Sequence, residues 1–180
     1  MTRRPSKTWL AVVAIVLTAC TGVPDGIEPV DDFELDRYLG TWYEIARLDH
    51  RFERGLSNVS AHYSMRDDGG VAVSNRGYRD AKGEWDEAEG KAYFVDEPNV
   101  GRLKVSFFGP FYGGYNVFVL DDDYQYAMVV GPDRDYLWIL SRTPIIDDSL
   151  RDDLILEAVN AGFDIEELIF VVHDREDPAR

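Results

Sequence analysis

The sequence runs to 180 residues, 45% of them apolar and 29% charged, which suits one domain with a real core and no need of disulfide staples. Its 34 acids against 19 bases give a net charge of −15, a field that disfavours nucleic acid and bare anionic membrane surfaces. The single cysteine, Cys20, excludes an internal disulfide, and no second soft ligand is present for a zinc site.

Arg3, Arg4 and Lys7 make a positive start, and Trp9 to Ala19 is an apolar stretch too short to span a bilayer as a helix. It ends in Leu17-Thr18-Ala19-Cys20, which resembles a bacterial lipobox. That resemblance implies a signal peptide over 1–19 and a Cys20 carrying a diacylglyceryl thioether and an acylated amine. Several acyl chains would anchor the protein stably. Thr21 stands where an Asp would imply inner-membrane retention, so the implied address is the outer membrane, with the domain facing the periplasm. Processing leaves 16 bases against 34 acids, or −18. Residues 20–32 include Gly22, Pro24, Gly26 and Pro29 and lack periodicity. They read as a lipidated tether, able to hold a domain up to about 40 Å from the membrane.

The body is organised around Leu39-Gly40-Thr41-Trp42-Tyr43-Glu44-Ile45-Ala46. Trp42, Glu44 and Ala46 share one face of a strand, and Tyr43 and Ile45 the other. After a polar loop at 49–57, Val59, Ala61, Tyr63 and Met65 alternate. Asp67-Asp68-Gly69-Gly70 is a hairpin signal, with 71–78 as the partner strand. A strand at 85–95 follows, with Ala88, Gly90 and Ala92 as small positions suited to a barrel corner. Leu103, Val105 and Phe107 alternate next. Gly109 to Gly114 is an unusually aromatic loop, and strands at 115–120, 125–130 and 136–141 are separated by acidic and Gly-Pro turns.

These eight strands with short connections predict an all-β, up-and-down antiparallel barrel. Eight strands enclose an interior that just holds side chains or one small ligand. Asp147 or Asp148 can cap a helix that carries Leu150, Leu154, Ala158 and Val159 and stops at Gly162. Its apolar stripe is expected to cover the barrel's outside. A last strand is expected over 165–172, and 174–180 as a polar tail.

Gly40-x-Trp42, Asp122-Asp123-Tyr124 and Arg142 resemble the three lipocalin motifs, although Asp122 departs from the usual Thr of the middle one. The stretches 38–47, 104–111 and 136–144 are similar to bacterial outer-membrane lipocalin lipoproteins, relatives of apolipoprotein D. The resemblance covers about residues 33–173. It implies a calyx closed at one end and open at the other, binding a small hydrophobic molecule, a fatty acid or lysophospholipid, for storage or transport in the cell envelope. It also implies that Arg142 lies across Trp42 at the closed end, so that Gly40, Trp42, Asp123, Tyr124 and Arg142 are structural.

If Trp42 and Arg142 define the inside, strand parity points Glu44, Ala46, Val59, Ala61, Tyr63, Val71, Val73, Leu103, Val105, Phe107, Val117, Val119, Trp138 and Leu140 inward, as ligand-lining or plain core. Ionised, Glu44 would repel a fatty-acid carboxylate but not a zwitterionic head group. The aromatic loop 107–115 reads as a lid, a membrane contact, a homodimer patch or a loop folded back on the wall.

No Gly-x-Ser-x-Gly elbow is present, and lipidation would consume the only thiol. His50, His62 and His173 lack metal-ligand spacing. His50 reads as a solvated neighbour of Asp49, His62 as part of an outward polar face, and His173 as exposed. The expectation is a binding protein with no catalytic residues, metal or cofactor. The alternative is an interaction lipoprotein whose filled barrel acts through its aromatic loop.

Overall fold

The computed structural model describes residues 21–179, so the leader and Cys20 lie outside the described residues. A short helix α1 (Leu35–Tyr38) precedes eight strands: β1 (Gly40–Arg47), β2 (Leu56–Met65), β3 (Val71–Arg79), β4 (Glu84–Phe94), β5 (Arg102–Phe108), β6 (Phe111–Leu120), β7 (Tyr126–Val130) and β8 (Leu137–Ser141). Neighbours pair antiparallel in sequence order, and β1 pairs with both β2 and β8, which closes the barrel. Helix α2 (Asp148–Asn160) follows, then one 3-10 turn (Ile165–Glu167) and a two-residue strand β9 (Ile169–Phe170). The expected last strand at 165–172 is thus reduced to one 3-10 turn and the two paired residues Ile169 and Phe170. Its remnant pairs with the second half of β1, along the edge whose first half pairs with β2.

Closure sorts the apolar residues into two cores. One fills the barrel: Phe33, Tyr38, Trp42, Tyr63, Val71, Val73, Leu103, Val117, Tyr124, Ala127, Val129 and Leu140. The other lies between the outer wall and α2, where Leu154 and Ala158 meet Ile45, Met128, Val130, Leu137 and Ile139. Asp147 caps α2 by accepting a hydrogen bond from the Leu150 amide at 2.9 Å. Val159, expected on the buried stripe, is 45% exposed.

Ala46 and Val119, expected inside the barrel, belong to this outer core. Both follow irregularities in pairing, between Glu44 and Ala46 on β1 and between Val117 and Val119 on β6. An extra residue flips every later side chain to the opposite face.

Two further segments differ from expectation. The aromatic stretch 109–114 is not a loop: β5 and β6 form a hairpin joined by Gly109 and Pro110 alone. Residues 21–32 carry no regular structure, yet they do not hang free. They run down the outer wall as a strap: Ile27 is buried, the Val30 amide bonds the Val117 carbonyl at 2.8 Å, and the Phe33 amide bonds the Asn99 carbonyl at 2.8 Å. The polar tail is also held. Asn58 Oδ1 accepts from the amides of Asp174 and Arg175, and Arg76 forms a two-pronged ion pair with Asp177.

Candidate ligand-binding site

β1 starts beside α1 and Arg142, so strand alternation puts the turns at 66–70, 95–101 and 121–125 at this closed end. The connections 48–55, 80–83, 109–110 and 131–136 surround the other end, the mouth.

The closed end is built on Trp42, which is fully buried and donates its indole N–H to the Tyr38 carbonyl at 2.8 Å. The Arg142 guanidinium lies 3.9 Å above its ring, a cation–π contact. Its nitrogens donate to three backbone carbonyls, those of Tyr124 (3.1 Å), Thr41 (3.0 Å) and Arg37 (2.6 Å), tying β1, the β6–β7 turn and α1 to one side chain. Gly40 has φ +94°, a left-handed backbone turn that glycine adopts without the strain a side chain would bring. Tyr124 accepts the Glu34 amide on its hydroxyl at 2.8 Å, with Arg37 stacked 4.2 Å over its ring. Asp123 is exposed; the carboxylate holding this turn is that of Asp121, which accepts from the amides of Asp123 and Gln125.

A layer of three tyrosines packs beside Trp42 at the closed end, Tyr38 against its indole and Tyr63 opposite Gly40. The Tyr115 hydroxyl meets those of Tyr38 at 2.7 Å and Tyr63 at 2.9 Å. Burial raises all three hydroxyls above the ordinary phenol range, so they remain neutral donors and acceptors.

Higher on β1, Glu44 is buried and accepts from Arg47 Nη1 at 2.7 Å. The irregularity after Glu44 turns Arg47 inward. Arg47 also donates to the carbonyls of Glu53 (3.0 Å) and Leu56 (3.2 Å), closing the loop 48–55 over itself. Glu53 is buried too; its carboxylate accepts from the Trp138 indole at 3.1 Å and stands 4.0 Å from Arg47 Nε, which has no hydrogen-bond partner. Burial, reinforced by the Glu53 charge, pushes the Glu44 carboxyl up to about 8 against the pull of Arg47. Burial raises Glu53 as well, opposed by Trp138 and Arg47. Two carboxyls and one guanidinium thus retain a proton at neutral pH, which avoids a bare negative charge in the barrel. Glu44 is thus paired with a guanidinium, neither left at a wet floor nor bonded to a hydroxyl. The sequence signal that was missed is Arg47, at a spacing that only the irregular strand makes possible.

His50 is not solvated. It is buried in a stack with Phe52, Tyr136 and Trp138 at 4.8–5.3 Å, and burial lowers its imidazole to about 4. His173 is half-buried, its Nε2 2.8 Å from the Glu44 carbonyl. His62, as expected on the polar face, bonds Thr41 Oγ1 at 2.9 Å.

Of the expected inward residues, Glu44, Ala61, Tyr63, Val71, Val73, Leu103, Val105, Phe107, Val117, Trp138 and Leu140 share the interior, and Val59 is buried over Gly77 of β3. They are not equivalent. Val117 is fully buried near the closed end, whereas Ala61, Val105, Phe107 and Trp138 point inward yet stay partly accessible. Of these, Ala61 lies opposite Trp42 at the closed end, whereas Trp138 lies opposite Arg47 and Phe107 stands next to the tip of the β5–β6 hairpin, both toward the mouth.

The geometry agrees with comparisons against known proteins. The family model described as Lipocalin-like domain matches residues 33–173. The chain is 56% identical over 164 residues to the outer membrane lipoprotein Blc of Vibrio cholerae serotype O1, covering 91% of this chain and 96% of that protein. It is 56% identical over 163 residues to outer membrane lipoprotein Blc of Escherichia coli K12, covering 89% and 92%. Apolipoprotein D of Bos taurus is 35% identical over 124 residues, 64% of each chain. Among solved structures, insecticyanin from the tobacco hornworm Manduca sexta superposes with a TM-score of 0.66 at 23% identity, covering 88% of this chain and 89% of that one, a likeness of fold. The chain belongs to the lipocalin family.

Proposed function

We propose that this lipocalin is an outer-membrane lipoprotein, acylated at Cys20, that binds the acyl chain of a fatty acid or lysophospholipid in its calyx and stores or carries it in the cell envelope. The observation that carries the reading is the split interior. The closed end is sealed by Trp42, Arg142 and the tyrosine layer, while Val105, Phe107 and Trp138 form an apolar, half-buried wall nearer the mouth. A ligand tail there meets hydrocarbon and aromatic edges, gaining about 0.8 kcal/mol per buried methylene. Its head group meets Glu44, Arg47 and Glu53. The retained proton and the guanidinium lessen the repulsion of an anionic head that an ionised Glu44 alone would impose. A zwitterionic head finds both signs within one cluster. The outer-membrane address draws on the Blc relatives at 56% identity and on the lipobox ending in Cys20. The site holds no nucleophile with an adjacent base, which favours binding over catalysis.

Native mass spectrometry after incubation with an envelope lipid extract tests the reading. One lysophospholipid or fatty acid per chain is expected, lost on Trp138→Arg or Phe107→Arg with the far-UV spectrum and thermal transition retained. No bound lipid with lipid in excess would sink the carrier reading in favour of a filled-barrel interaction protein.

A further inference from the structure

Strand order around the closed barrel puts β2 and β6 on opposite sides, four strands apart in either direction. Tyr63 of β2 and Tyr115 of β6 both point inward, and their hydroxyls meet at 2.9 Å. Eight strands enclose a bore just wide enough for side chains to fill. Two side chains that touch from facing strands therefore lie across the whole of it, as a bar.

The bar is propped from the closed end. Tyr38, arriving from α1, sets its hydroxyl 2.7 Å from that of Tyr115, stacks on the Tyr63 ring at 5.6 Å and lies 4.8 Å from Trp42. Beneath it the space is filled: Phe33 is buried with its ring 5.0 Å from Tyr38 and 6.5 Å from Tyr124. Swinging Tyr63 or Tyr115 aside would break a buried hydrogen bond, a cost that a floor of aliphatic side chains does not carry.

The mouth side of the bar is different. One inward step from Tyr115 along β6 stands Gly113, opposite Val105. A Cβ built on Gly113 would meet nothing within 4 Å, and its φ is not left-handed, so the backbone there does not require glycine. What the missing side chain leaves is room, directly above Tyr115. β6 begins at Phe111, four residues from Tyr115, which gives the bore a depth of roughly 10 Å above the bar for a strand tilted by about 40°.

We propose that the Tyr63–Tyr115 bar is the stop for the acyl chain and so sets the chain length that the calyx prefers, with the terminal methyl seated beside Gly113 and Val105. The stop rests on the reading of the interior as an acyl-chain site. Each methylene added to a short chain gains affinity until the methyl reaches the bar. Methylenes added beyond that length stay outside the bore and gain nothing.

The test uses full-length, acylated protein and an equimolar series of saturated lysophospholipids that share one head group and differ in acyl length. Native mass spectrometry reads which lengths stay bound. In the parent, occupancy is expected to rise on the order of fourfold per methylene and then to level off at one length. Tyr115→Leu opens the bar and is expected to move that length up by several carbons. Tyr115→Phe, which keeps the ring across the bore, is expected to leave it in place. Gly113→Val fills the space above the bar and is expected to move it down. Its side chain enters open space, so this variant decides the matter if Tyr115→Leu fails to fold. One levelling length shared by the parent, Tyr115→Leu and Gly113→Val would overturn the stop and leave the carrier reading standing. So would an occupancy that climbs through the whole series in the parent, or an equal shift in Tyr115→Phe and Tyr115→Leu. No bound lysophospholipid in the parent would overturn both.

Discussion

Glu44 and Arg142 show how much one side chain decides. Glu44 holds its proton up to about pH 8 in the folded protein, against an ordinary carboxyl near 4.5 when unfolded. Between those values the folded state binds more protons, so this group's contribution to stability falls as pH rises from about 4.5 to about 8. Glu44→Gln is expected to flatten that slope: its melting temperature, relative to the parent, improves steadily toward pH 8 in scanning calorimetry. An unchanged slope would show that Glu44 does not hold the proton. Arg142 joins a cation–π contact to three hydrogen bonds on backbone carbonyls, so Arg142→Met is expected to cost roughly 2–4 kcal/mol in urea unfolding. The Trp42–Arg142 pair was legible because its residue types and spacing recur as a motif. The Glu44–Arg47–Glu53 cluster was not, because strict alternation puts Arg47 outside and Glu53 arrives from a loop with no period.

Among the elements, the strands and α2 follow from alternation and capping, and their placement agrees with the sequence to within a few residues. The misread pieces each lacked a periodic signal. Residues 21–32 look like a linker by composition, yet backbone hydrogen bonds and one buried Ile27 hold them to the wall. The aromatic run at 109–114 looks like a loop because Gly and Pro surround it, although most of it pairs as strand. Asn116, fully buried on β6, donates to the carbonyls of Gly22, Val130 and Gly131 and so ties strap, strand and mouth connection together. Asn116→Ala is expected to cost about 1–3 kcal/mol and to speed amide hydrogen exchange in the strap ahead of the barrel. On the other side of the wall, Leu154 is 2% exposed, and Leu154→Ala is expected to cost about 2–4 kcal/mol in denaturant unfolding, with ligand binding unchanged. A large loss of ligand affinity in that variant would mean that the two cores are not independent.

At the scale of the molecule, the barrel separates two tasks along one axis: a sealed end, and an apolar interior whose half-buried side chains stand toward the mouth. The eight-stranded architecture was legible from strand count and turn chemistry. Which residues face the interior was legible only as far as each strand stays regular, and the irregularities on β1 and β6 moved Ala46 and Val119 to the α2 side. The central claim is that an acyl chain occupies the upper interior. Methyl-labelled protein saturated with a lysophospholipid gives the most direct test, through nuclear Overhauser contacts between the acyl chain and protein methyl groups. Contacts to Val105 and Leu140, with none to Ala46 or Val119, are predicted. Saturable binding with contacts to Ala46 or Val119, or with none to the interior methyls, would contradict the account.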